Sequence, residues 1–302
     1  MKTILNLLNR QISILPHLML VIVVSLFLGA CAEDKLNEDS IFDVTPPERS
    51  AFDTWLLENY TYPYNIDFKY KMEDIESSME YTLTPAEEKK SIALAKLIKF
   101  LWIDAYNEVA GIDFTRMYVP RVIHLVGSAA YENNGTMILG TAEGGLKITL
   151  YLVNSIDIEN INMDMLNYYF FKTMHHEFAH ILHQTKNFDT YFQKISEADY
   201  VSGDWYQISE SSANQLGFVS AYAMSEPSED FVENIAIYVT STADEWANLL
   251  ATAGAAGSSI ILEKFEIVRN YLQESWGIDI DQLRDVVQRR TSEIHLLDLH
   301  NI

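Results

Sequence analysis

Hydrophobic and polar positions change rhythm several times along this chain. Residues 18–28 form an apolar run without a charge, preceded by Lys2 and Arg10 and followed by the small residues Gly29 and Ala30. That is the layout of a secretory signal peptide, and the run is shorter than the roughly 20 residues of a comfortable membrane span. A helical rhythm begins near Thr84-Pro85-Ala86-Glu87, which reads as a capping box with proline at the first helical position, and runs to about Ala110, where Gly111 stops it. Between residues 122 and 153 the rhythm shortens. Ile123 and Leu125, Met137-Ile138-Leu139, and Ile148, Leu150 and Leu152 are punctuated by Asn133-Asn134-Gly135 and Gly144-Gly145, which predicts a small sheet of hairpins. From Ile161 onward helical spacing returns, with helices expected over 163–184, 228–240, 243–252, 259–274 and 280–297. Helices, a short sheet and then helices argue an α+β fold rather than alternating βαβ units.

Composition sharpens this outline. The chain has 21 Lys+Arg against 43 Asp+Glu, a formal net charge of -22. No broad cationic face for a phosphate backbone is available at that balance, so a nucleic-acid partner is excluded. At 48 % hydrophobic residues there is ample material for a core. With the single cysteine Cys31, no intramolecular disulfide is possible, and any metal must be held by histidines and carboxylates. Residues 32–50 are acidic and contain Pro46-Pro47, as a flexible tether would. The organisation expected is a leader over 1–30, a tether over 31–50 and one domain over 51–302.

The stretch Leu28-Gly29-Ala30-Cys31 resembles the lipobox of bacterial lipoproteins. The resemblance implies cleavage before Cys31, its lipidation and a membrane anchor there. Ala32, in place of an inner-membrane retention aspartate, implies the outer membrane. An ordinary cleaved signal with a chance cysteine is the plainer alternative.

The informative segment is His175-His176-Glu177-Phe178-Ala179-His180-Ile181-Leu182-His183. His176 and His180 are four apart, so on a helix they share a face and can hold one metal ion. Glu177, beside them, is placed to take a proton from a water activated at that metal. This is the H-E-x-x-H arrangement of zinc hydrolases, and imidazole nitrogens suit Zn²⁺. Phe171, Met174, Phe178, Ile181 and Leu182 give the helix a buried side.

A third ligand is needed. A metzincin would place glycine at 183 and histidine at 186, where this chain has His183 and Lys186. Pro227 and Ser228 mark a helix start that puts Glu229 in its first turn and Glu233 one turn on, on the same face. Glu229 could then be the ligand, and Glu233 could accept the second ring N–H of a ligand histidine. Glu197 and Glu210 are the rival acids, and Glu229 has the plain alternative of stabilising its helix dipole. His183 is expected in packing or in a supporting bond rather than on the metal. His124, His295 and His300 carry no ligand spacing, and Trp102 and Trp205 read as core aromatics.

H-E-F-A-H, then Tyr222, then E-x-x-x-E seven residues after that tyrosine, resembles the gluzincin catalytic domain of anthrax lethal factor type over about residues 170–240. The resemblance implies a zincin-like fold with His176, His180 and Glu229 as zinc ligands and Glu177 as general base. It also implies Tyr222 as oxyanion donor and Glu233 as support for a ligand. Across nearly its whole length, with the lipobox and H-H-E-F-A-H-I-L-H-Q, the chain also resembles zinc metallopeptidase lipoproteins linked to TonB-dependent nutrient-import loci, which implies importer components as partners.

The function expected is therefore zinc-dependent hydrolysis of peptide or protein substrates. An extended substrate would add to a sheet edge, for which residues 145–151 are the candidate; an interior strand is the alternative. Two rival functions stay open: a binding or scaffold lipoprotein with a structural zinc site, and a zinc hydrolase of non-peptide substrates. Glu177 argues against the first, since a structural site needs no base there.

Overall fold

A reciprocal cap starts the fold: the Ser50 hydroxyl accepts the Asp53 amide while the Asp53 carboxylate accepts the Ser50 amide. In the computed structural model the described residues are 48–73, 80–132, 135–138, 140–143 and 146–302. The leader over 1–30, Cys31 and the tether up to residue 47 lie outside them, as do Asn133, Asn134, Leu139, Gly144 and Gly145. Arg49–Ile302 form one unit. Among the described residues no helix is long and apolar enough to cross a membrane.

Helix α1 runs over Ala51–Leu56, through a wider turn at Leu57–Thr61, to Tyr62–Tyr64. Its buried stripe, Phe52, Leu56, Tyr60 and Tyr64, has the spacing of one helix face. Strand β1 (Asp67–Lys69) follows, and then helix α2 (Glu88–Ile98, continuing through Lys99–Ile103 into Asp104–Ala110). Gly111, at φ 88°, ends α2 as expected, because a side chain there would be strained. The start differs from the expected capping box: Glu87 is the N-cap. The Thr84 carbonyl accepts the Gly127 amide and Pro85 bridges Val126, so the backbone there is extended against the strand ends instead.

After helix α3 (Ile112–Tyr118) come β2 (Val122–Leu125), β3 (Ala130–Tyr131), β4 (Met137–Ile138), β5 (Gly140–Glu143) and β6 (Lys147–Leu150). The main sheet has the order β1-β2-β6-β5. Its β1–β2 and β2–β6 pairs are parallel and β5–β6 is antiparallel, with Ile123 opposite Ile148 and Leu125 opposite Leu150. Hairpins therefore account for β3–β4 and β5–β6, while two parallel pairings tie the sheet to the earlier chain. The expectation that residues 145–151 form an edge is corrected: β6 lies between β2 and β5, and the strands at the two ends of the order are β1 and β5. His124, Ile148, Thr149 and Leu150 are all buried, as in a strand pair covered on both faces.

The remainder is helical. Helix α4 runs from Met163–Leu166 through Asn167–Phe171 into Lys172–Thr185, followed by α5 (Tyr191–Ile195) and α6 (Glu210–Gln215). Then come α7 (Pro227–Thr240), α8 (Ala243–Tyr271, extended by Leu272–Trp276) and α9 (Ile280–Ser292). The two helices expected over 243–252 and 259–274 are one run broken at Gly254, whose φ is 67°. Helix α9 ends sooner than expected, giving way to a single turn at Ile294–Leu296. This mixed architecture, mainly helical around a small sheet, is the α+β, zincin-like fold expected.

Candidate metal centre

Two helices build the centre. On α4, Phe171, Met174, Phe178 and Leu182 turn into the core, which leaves His176, His180 and His183 on a neighbouring stripe of the same helix. On α7, Pro227 sits at the first helical position with its fixed φ, and this puts Glu229 in the first turn and Glu233 one turn on. The helices pack so that these two stripes meet.

His176 Nε2 stands 2.9 Å from Glu229 Oε2, His180 Nε2 stands 3.2 Å from Glu229 Oε1, and the two Nε2 atoms are 3.2 Å apart. Four ligands held at about 2.0–2.1 Å around a tetrahedral ion stand roughly 3.3 Å from one another. The donor spacing and the two-imidazole, one-carboxylate chemistry both fit Zn²⁺, and these three residues form the metal-competent group among the described residues. Burial would raise the Glu229 pKa, but hydrogen bonds and charge from His176 and His180 outweigh it and hold the carboxyl well below its usual range.

The far side of each imidazole is engaged too. His176 Nδ1 donates to Glu233 Oε1 at 2.9 Å. The other oxygen of Glu233 accepts from the Ser220 hydroxyl at 2.6 Å and from Lys172 Nζ at 3.3 Å. Although Glu233 is buried, which alone would raise its pKa, Lys172 and His176 bring it down to about 2. For His176 burial works against the imidazolium, yet Glu229 and Glu233 lift its pKa to about 9. His180 Nδ1 meets His183 Nε2 at 2.9 Å, and burial, then the neighbouring His180, push the His183 pKa down to about 4.

Glu177 is half-buried beside this group, and burial raises its pKa although His176 and His180 oppose the shift. A carboxylate of raised basicity at this point is suited to accept a proton. The Tyr222 ring lies 5.7 Å from that of His176, close enough to Glu229 for the carboxylate charge to act on its phenol. Burial and the Glu229 charge raise the phenol pKa, so it stays a donor.

Every residue expected in the site, His176, Glu177, His180, Tyr222, Glu229 and Glu233, is gathered here. The rivals are not: Glu197 is exposed, and Glu210 spends its carboxylate on the Ala221 amide, pinning the loop that leads to Tyr222. His124, His295 and His300 do not join the group. His175 is buried against Tyr106, 3.0 Å from its hydroxyl, and burial takes its pKa to about 3. Trp102 is fully buried as expected, and Trp205 is half-buried, packed against the core and edge-on at 5.0 Å against Tyr222. Ser220 and Lys172 escaped the sequence reading. The demand of Glu233 for donors is the signal that could have prompted a search for them.

The sequence from residue 45 to 281 matches the family model described as "Putative zinc-binding metallo-peptidase". No curated protein matches. Among solved structures the chain is similar to a crystal structure titled as a putative zinc-binding metallo-peptidase from Bacteroides caccae. The two are 50% identical at a TM-score of 0.75, over 87% of this chain and 100% of that one. With most of its length matched and half its residues shared with a solved member, the chain belongs to the "Putative zinc-binding metallo-peptidase" family.

Proposed function

We propose that this protein is a zinc peptidase of gluzincin type, with His176, His180 and Glu229 as the ligands, Glu177 as general base and Tyr222 as oxyanion donor. The observation that carries the reading is Glu177 set beside three donor atoms spaced for one zinc ion. Zinc, when bound there, supplies a Lewis acid that polarises a carbonyl and acidifies water. Glu177 takes the proton of the attacking water and returns it to the leaving amine. The Tyr222 hydroxyl donates to the oxyanion as it forms, and Trp205 holds the phenol ring from its side. Glu233 and Ser220 keep His176 turned with Nε2 toward the centre.

An extended peptide is the substrate class that suits this frame. The end strand β5 approaches α4 closely at Gly140, where a Cβ would fall 2.5 Å from Thr173 Cγ2. A peptide added to β5 would therefore run beside the metal helix and pair through its backbone. Glu177→Gln is expected to keep zinc and fold while peptide cleavage falls by about 10²–10⁴-fold or more. A variant that cleaves a peptide library as fast as the native chain would remove Glu177 as base.

We further propose, from residues 28–31, that Cys31 is lipidated and that the protein is held at the outer membrane, where TonB-dependent importer components are candidate partners. Multiple acyl chains hold a protein firmly where one does so marginally. Cys31→Ser should lose the lipid and move to the soluble fraction. Retention of that variant in the membrane fraction would overturn the anchor.

A further inference from the structure

The two imidazoles of the metal group are backed by different chemistry. A ligand histidine that offers Nε2 to a metal carries its remaining proton on Nδ1, and that proton needs an acceptor that also sets the ring angle. For His176 the acceptor is the buried carboxylate of Glu233. For His180 the atom at hydrogen-bond distance, 2.9 Å, is Nε2 of another histidine, His183, one turn further along α4. For the bond to form, His183 must leave Nε2 bare and carry its proton on Nδ1.

The packing around His183 favours one ring position. Its ring is 5.2 Å from that of His180 and meets Phe188 edge-on at 5.6 Å and Phe231 edge-on at 6.4 Å. Phe188 and Phe231 are themselves stacked at 4.0 Å with 6° between their planes. Phe231 stands between Glu229 and Glu233 in the sequence of α7, so the helix that brings the carboxylate ligand also brings the wall against which His183 rests.

We infer that His183 is a positioning residue of the metal centre, accepting the Nδ1–H of His180 and thereby fixing the tautomer and angle with which His180 offers Nε2. The inference rests on the zinc reading of the site. Unlike Glu233, His183 delivers no negative charge, so it orients its partner without adding to the anionic field of the centre. The H-E-x-x-H helix thus extends its role by one turn, with His176, His180 and His183 on one face as ligand, ligand and support.

Zinc affinity, measured by competition with a chromophoric chelator, tests this without reference to activity. His183→Phe keeps a ring against Phe188 and Phe231 but removes the acceptor, and should weaken zinc binding by about 10–100-fold, the usual cost of losing such a partner. His183→Gln restores an acceptor and should recover most of the loss. Native-like affinity in His183→Phe would overturn the role, as would a loss in His183→Phe that His183→Gln does not relieve at unchanged zinc-free thermal midpoints, since restoring an acceptor would then restore nothing. Independently of any variant, long-range ¹H–¹⁵N spectra of the zinc-loaded native protein should show His180 protonated at Nδ1 and His183 at Nδ1 with Nε2 bare; a proton on His183 Nε2 would overturn the inference. A native chain that takes up no zinc would instead bring down the zinc reading and this inference with it.

Discussion

Helix α7 carries buried acids on two adjoining faces, and the faces solve the same electrostatic problem differently. Glu229 and Glu233 look toward the histidines of α4, whereas Asp230 looks toward α8. Asp230 meets its own cation there: Lys264 Nζ lies 2.6 Å from Oδ2, and both side chains are fully buried. Tyr200 donates to the same oxygen at 2.9 Å, Asn234 donates to Oδ1 at 3.1 Å, and Lys264 also donates to the Gly217 carbonyl at 3.0 Å. Burial pushes Asp230 up to about 6 and Lys264 down from its usual range, and their mutual attraction limits both shifts. Buried charge must be paired or hold a metal. One face has its cation built into the chain and is closed; the other gathers imidazoles and carboxylates whose lone pairs converge on a point. The difference separates a strut from a site within one helical turn.

The sharpest way to break the comparison is to take the carboxylate from the convergent face. Glu229→Ala removes the charged donor of a three-residue group and should weaken zinc binding by at least about 10⁴-fold, roughly 5.5 kcal/mol. The zinc-free fold should survive, because no buried cation is left unpaired. Competition with a chelator and the zinc-free thermal midpoint measure the two effects. A variant that binds zinc as the native chain does would mean that Glu229 is not a ligand.

On the closed face the reverse is expected: fold lost first, chemistry untouched until then. Lys264→Met strands Asp230 in the core, and breaking a buried pair from one side costs about 3–5 kcal/mol. Adding Asp230→Asn should return much of that, since replacing both members is often near neutral. Denaturant unfolding of the single and double variants reads the coupling. Should Lys264→Met cost less than about 1 kcal/mol, the pair would not be the strut described here.

The two faces also explain what the sequence could and could not disclose. His176, Glu177 and His180 are neighbours on one helix, and Pro227 sets the register of Glu229 and Glu233, so local periodicity exposes that face. Lys264 is 34 positions from Asp230, on a helix that reaches it because Gly257 lets α8 approach α6: a Cβ there would fall 2.3 Å from the Asn214 carbonyl oxygen. Nothing local announces that contact. The sheet divides the same way. The β5–β6 hairpin is written in its neighbourhood, whereas β1 is three residues long and pairs with Val122–His124 across more than fifty residues of chain. Pro85 shows a local signal overruled, because the Thr84 carbonyl accepts the Gly127 amide and the Pro85 carbonyl accepts the Asn154 side-chain amide, so neither opens a helix. Trp205 packs against the core, and composition says that a tryptophan will pack, not that its partner is Tyr222.

The smallest effect lies in pH, and it tests whether the convergent face behaves as a cation site. Glu229 and Glu233 lift His176 from 6.5 to about 9. A group whose pKa is higher in the folded chain stabilises the fold fully below its unfolded value, and that contribution disappears as pH rises through the folded value. Zinc-stripped protein should therefore lose stability between pH 6.5 and about 9, by at most about 3 kcal/mol for a shift of this size. An imidazole bound to zinc carries no such proton, and zinc no longer competes with one at high pH. The gap between the thermal midpoints of zinc-loaded and stripped protein should then widen across this window. Comparing the two forms cancels the titration of Asp230 and Lys264, which zinc does not touch. A gap that stays constant from pH 6.5 to 9 would mean that His176 does not exchange its proton for the metal, and that the two faces of α7 differ less than their geometry implies.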